Sequence, residues 1–248
     1  MELIAKLRGI FSETYVVAEG RGAGLKLVAR GADPNFARGI YEQPMQEAVI
    51  SGLSAGDVFF DVGANIGFFS LIAARRVGTE GYVYAFEPVP RNVVAIRRSA
   101  QLNGLAMIKV YSEAVGATTG RAELLLAHHI GGAALASVGA PPDTRGRMQV
   151  DVVTLDDAVA RRGLRPPSLV KIDVEGAEID VLHGMTEIMR RYRPKVIYEV
   201  DDATREGLAR KARNIAAFMT KAGYTLAPLP ACYPDEDWYV EHVFARPM

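Results

Sequence analysis

The alternation of apolar and polar positions divides the chain into a short opening region and a long regular one. Residues 15–19 and 25–30 read as two short strands, and the glycine-rich stretch 20–24 between them suits a tight reversal, so an N-terminal β-ribbon is expected. Residues 46–53 follow with helical spacing. From Asp57 onward, short apolar runs alternate with amphipathic stretches, as in parallel strands joined by crossover helices, which predicts an α/β fold. The runs 58–62, 82–86, 108–112, 169–174, 195–200, 225–229 and 239–245 supply seven strands for one doubly wound sheet. Helices are expected after Asn65, Pro90, Gly176 and Arg205. The connection between the last two strands is too short for a crossover helix, so the last strand should run antiparallel. Residues 120–157 break the rhythm. Strand-like pieces at 121–126 and 148–153 flank a loop rich in glycine and alanine, which reads as an inserted hairpin. The resulting division is an N-terminal extension over 1–56 (helix, ribbon, helix) packed on a domain spanning 57–248.

Composition narrows the functional classes. About half of the 248 residues are apolar and 23% are charged, which is ordinary for one globular domain. The 29 basic and 29 acidic side chains cancel, so no general field favours nucleic acid and a small acceptor fits better. The single cysteine, Cys232, can form no internal disulfide. Neither a secretory leader nor an apolar run long enough to cross a bilayer is recognisable, so a cytoplasmic protein without stable membrane insertion is expected. Residues 1–11 carry Lys6 and Arg8 among apolar side chains at about helical spacing, and packing on the domain is favoured over a membrane surface. Homo-oligomerisation is left open.

Candidate chemistry begins with DVGANIGFF, residues 61–69, which follows an apolar strand and opens a helix. Gly63 and Gly67 permit a sharp turn and close approach of a ligand, while the helix N-terminus offers amides to an anion such as a methionine carboxylate. No register supplies the glycine spacing of a pyrophosphate-binding loop, which disfavours NAD. In VYAFEPVPRN, residues 83–92, Glu87 lies at the next strand end, where an acid accepts from ribose hydroxyls, and Pro88 ends the strand.

With VVTLDD at 152–157 and VKIDVEGAE at 170–178, these segments resemble the FkbM-family methyltransferases over about residues 41–223. The resemblance implies a Rossmann-like class I methyltransferase fold, S-adenosylmethionine as cofactor, and O-methylation of a sugar, polyketide or other small natural product. Carried over, Asp61, Gly63, Asn65 and Gly67 would form the loop on the methionine side, and Glu87 with Pro88 the ribose side. Tyr41 and Glu42 resemble the family's motif before the first core strand and would line the cofactor site.

The strand 169–174 ends in Asp173, where the acceptor of a methyl group would arrive, which makes Asp173 the first catalytic candidate. His128 and His129, in the inserted loop, are alternative general bases. Glu199 ends the adjacent strand, and Asp173 with Glu199 could hold Mg²⁺ through hard oxygen ligands. Glu178, Asp201 and Asp202 read as acids serving helix starts, and His183 and His242 as packing residues. Two other readings stand: an NAD-dependent sugar dehydrogenase or epimerase, lacking its pyrophosphate loop, and a non-catalytic S-adenosylmethionine-binding protein, in which Asp173 would be dispensable.

Overall fold

The computed structural model describes residues 13–29, 31–127, 133–136, 144–233 and 239–248. The stretch 1–11 and the pair His128 and His129 lie outside the described residues. The ribbon pairs β1 (Thr14–Val16) antiparallel with β2 (Lys26–Val28). Two helices follow, α1 (Pro34–Arg38) and α2 (Gln43–Gly52). Helix α1 escaped the sequence reading because five residues are too few for a 3.6-residue period to register. Its start was nonetheless marked, since the Asp33 side chain accepts from the Asn35 amide and proline occupies the first helical position.

The main sheet opens with β3 (Val58–Val62), α3 (Phe68–Val77), β4 (Tyr82–Phe86), α4 (Pro90–Leu102) and β5 (Ile108–Tyr111). The chain then builds a second sheet from β6 (Ala114–Val115), β7 (Gly120–Ala127), β8 (Ala133–Leu135) and β9 (Thr144–Val153). After α5 (Leu155–Arg162) it returns through β10 (Leu169–Ile172), α6 (Glu178–His183), α7 (Thr186–Tyr192), β11 (Lys195–Asp202), α8 (Arg205–Lys221), β12 (Tyr224–Pro228) and β13 (Tyr239–Pro247). The main sheet has the order β12-β13-β11-β10-β3-β4-β5. Strand β13 is antiparallel to both of its neighbours, and the other pairings are parallel. This is the seven-stranded doubly wound sheet with an antiparallel last strand that the apolar runs implied.

Each central strand buries alternate side chains on opposite faces. Phe59, Val83, Leu169 and Ile197 enter a core shared with α2, α3, α4 and the ribbon residues Leu25 and Leu27. Phe60, Tyr84, Val170 and Tyr198 face the other core, with Leu155, Leu182, Met189 and Ile215. The expected hairpin is the β7–β9 pair of a four-stranded sheet in the order β6-β9-β7-β8. Its apolar side, including Leu124, Val150 and Val152, packs on Val89 and Ala177, from the loops after β4 and β10. The inserted sheet is therefore anchored at the edge where the parallel strands end.

The VVTLDD segment acts here through hydrogen bonds that start helices. The Thr154 hydroxyl accepts from the Asp157 amide at 3.0 Å and caps α5, while Asp156 accepts from the amides of Glu187 and Ile188 at 3.0 and 2.8 Å and caps α7. Asp156→Ala should cost about 1–2 kcal/mol, because two helix-start amides lose a charged acceptor. Chemical denaturation reads this directly, and an unchanged midpoint would remove the capping role.

Candidate active site

Strands leave β3 in opposite directions, through β4 and β5 on one side and β10 and β11 on the other, so the switch point lies between β3 and β10. A crevice outside the carboxyl ends of these strands is where open α/β sheets bind ligands. Gly63 follows β3 at φ +73°, and a Cβ there would overlap the Asp173 carbonyl oxygen, so the loop lies directly on the end of β10. Gly67, at φ +84°, precedes α3 without a side-chain cap, leaving the first-turn amides to a ligand.

Glu87 ties the loops after β3 and β4 together. One carboxylate oxygen accepts from the Asn65 amide and the other from the Val89 amide, both at 2.8 Å, and Asn92 Nδ2 lies 3.3 Å away. Asn65 itself is held at φ +50°. Burial pushes the Glu87 carboxyl up to about 7, against the pull of those amide bonds. Pro88 is half-buried beside it.

Asp61 is fully buried, accepting from Ser70 Oγ at 2.5 Å. Its other oxygen lies 3.8 Å from Lys171 Nζ and has no hydrogen-bond donor among the described residues. Lys171 stands opposite Asp61 in the parallel β3–β10 register and donates to Asp173 at 2.8 Å. Burial pulls the Lys171 ammonium down, but the charges of Asp173 and Asp61 outweigh it and hold the group above its usual value. The sequence reading missed Lys171. The available signal was a lysine inside the otherwise apolar run 169–172, a placement that requires an anionic partner.

Acids crowd the ends of β10 and β11. Glu175, at φ +55°, is pushed up to about 9 by burial and by the charge of Asp173, and burial raises Glu178 to about 7. Glu199 is raised strongly by burial and by Asp173. Glu178 starts α6 and accepts from the Gly176 amide at 2.9 Å, and Asp202 accepts from the Thr204 amide just ahead of α8, so both do serve helix starts.

Glu199 and Asp173 do not form a shared ligand group. Asp173 is engaged by Lys171, whereas Glu199 Oε2 lies 2.7 Å from His242 Nε2, and Glu42 Oε2 lies 3.9 Å from the same nitrogen. His242, read as a packing residue, is buried among charged groups. Glu42, at φ +43°, precedes α2 and receives a hydrogen bond from the Tyr233 hydroxyl. Tyr41 stacks on Phe36 with ring centres 3.8 Å apart and approaches Tyr233 edge-on. His183, read as a packing residue, is exposed and touches Phe218 edge-on. A groove of about 870 Å³ lined by Arg21, Gln43, Glu47 and Phe244 contains none of Gly63, Glu87 and Asp173.

This sheet order and edge define the chain as having a methyltransferase fold. The solved methyltransferase FkbM of Methylobacillus flagellatus superposes with a TM-score of 0.54 at 18% identity, covering 77% of this chain and 44% of that one. The Methyltransferase FkbM domain matches residues 61–226, and the chain belongs to that methyltransferase family. It is 33% identical over 177 residues to a 31-O-demethyl-FK506 methyltransferase of Streptomyces tacrolimicus, covering 60% of this chain and 67% of the relative. It is 28% identical over 150 residues to a hexuronic acid methyltransferase of Haloferax volcanii, covering 60% and 58%. No helix among the described residues is long and apolar enough to cross a membrane.

Proposed function

We propose that the chain transfers the methyl group of S-adenosylmethionine to a hydroxyl of a small acceptor, a sugar, polyketide or similar natural product, in the cytoplasm. The observation that carries this reading is the contact of the Gly63 turn with the Asp173 backbone carbonyl, which brings the glycine loop after β3 against the end of β10 at the switch point. The residues present fit the cofactor. Free amides at the start of α3 suit its carboxylate, and Glu87 Oε2, with one amide donor, keeps a lone pair for a ribose hydroxyl. Bound there, S-adenosylmethionine supplies a methyl group already activated as a sulfonium.

The protein then has to align the acceptor oxygen and receive its proton. We assign this role to Asp173, with His128 and His129 as the alternatives. Mg²⁺ between Asp173 and Glu199 has less support, because Lys171 already occupies Asp173. The acceptor's chemistry follows the names of the two relatives and the neutral net charge, which gives no field for nucleic acid. Residues 1–56 are assigned to an N-terminal extension and 57–248 to the methyltransferase domain.

Calorimetric titration with S-adenosylmethionine, its demethylated product and NAD tests the reading. The first two should bind; binding of NAD alone would sink it. Glu87→Gln should weaken cofactor binding about tenfold to a hundredfold, as expected for one hydrogen bond to a charged group. Affinity of the wild type should also fall as pH drops below about 7, where Glu87 takes up a proton and loses acceptor capacity. The Gln variant should lack that part of the pH profile. The effect on stability has the opposite sign. A carboxyl raised from 4.5 to about 7 in the folded chain subtracts stability as pH rises through that interval.

A further inference from the structure

We propose that Glu42, Glu199 and His242 form a binding site for one divalent transition-metal ion of the Zn²⁺ or Mn²⁺ class. Each offers one ligand atom, and the three atoms lie within 4.8 Å of one another. The side chains of Glu42 and His242 are only 2% and 1% exposed, yet Glu42 Oε2 and His242 Nε2 have no hydrogen-bond partner among the described residues. The 2.7 Å approach of His242 Nε2 to Glu199 Oε2 is thus a close contact without hydrogen-bond alignment. Orphaned buried polar atoms are costly unless something satisfies them. Ligands about 2.1 Å from a tetrahedral metal stand roughly 3.4 Å apart, between the 2.7 and 3.9 Å separations seen here.

The surroundings fit ligation. Glu199 and His242 are directly opposed in the β11–β13 register, which fixes two ligands on adjacent rigid strands. Glu42 enters from the start of α2, in a left-handed backbone conformation unusual for glutamate. The Tyr233 hydroxyl donates to Glu42 Oε1, and Cys232 lies within hydrogen-bond reach of the His242 ring. Such outer contacts orient the ligating atoms. An imidazole nitrogen with two carboxylates selects a transition metal, because Mg²⁺ prefers oxygen ligands and keeps several waters, which a buried triad does not provide. The site does not depend on the acceptor being a hydroxyl.

The test uses the full chain after dialysis against a chelator. Titration with Zn²⁺ or Mn²⁺ should show one ion bound per chain and a raised melting temperature, while Mg²⁺ at the same concentration should bind at least about tenfold more weakly. His242→Gln and Glu199→Gln should each weaken Zn²⁺ binding at least about tenfold. Co²⁺ added to the wild type gives a second readout that needs no variant, since visible ligand-field bands should appear at one equivalent. Absence of stoichiometric binding in the wild type, or variants that bind Zn²⁺ as tightly as the wild type, would overturn the proposal.

Discussion

Lys171→Met is expected to lower stability by about 3–5 kcal/mol, the cost of leaving a buried ion pair without one partner. Methionine fills nearly the same volume, so lost packing contributes little and the electrostatic term dominates. Asp61 has no exposure, and in the variant neither Asp61 nor Asp173 keeps its cation. For a chain of this size the change corresponds to a fall in melting temperature of roughly 6–20 °C. The loss should be larger at alkaline than at acid pH. Burial already raises the Asp61 carboxyl, and without Lys171 it takes up a proton more readily, which spares the variant at low pH. Lys171→Met combined with Asp61→Asn should recover part of the stability. A melting temperature equal to that of the wild type would show that the pair is not coupled to folding.

Asp173→Asn is expected to slow methyl transfer by about 10²–10⁴-fold while changing cofactor affinity by less than about tenfold. The substitution keeps the shape of the side chain and removes its capacity to accept a proton. The contact with Gly63 involves the Asp173 backbone carbonyl, so the loop that faces the cofactor retains its support in the variant. The 2.8 Å bond from Lys171 loses its charged acceptor, which weakens local stability, and rates should therefore be compared at equal folded fractions. Full activity in Asp173→Asn would pass the role of base to another group, with His128 and His129 next to be replaced.

Much of the fold was legible because its signals are local. Two-residue alternation marked the strands, 3.6-residue spacing marked the long helices, and the glycines and acids after 58–62 and 82–86 pointed to strand ends. The short helices α1 and α5 were missed, although Asp33 and Thr154 carry recognisable caps, because five to eight residues barely complete two turns, and the helix expected after Gly176 is divided into α6 and α7. The insertion read as a hairpin because its own strands alternate. Its extension into a four-stranded sheet came from the pairing of β8 with β7 and of β6 with β9, the latter between residues almost forty positions apart.

The sequence by itself determined the α/β class, the seven strands of the main sheet, the antiparallel last strand and the segments that meet at the sheet edge, since each follows from side-chain periodicity and turn chemistry within a few residues. Only the tertiary structure decided which charges meet. Asp61 faces Lys171 because β3 and β10 pair in one particular parallel register, and a one-residue slip would turn these side chains to opposite faces. Glu42, Glu199 and His242 converge from a helix start and two later strands, through pairings between distant parts of the chain that no local pattern encodes. Burial, which gives these groups their electrostatic weight, exists only once both faces of the sheet are covered.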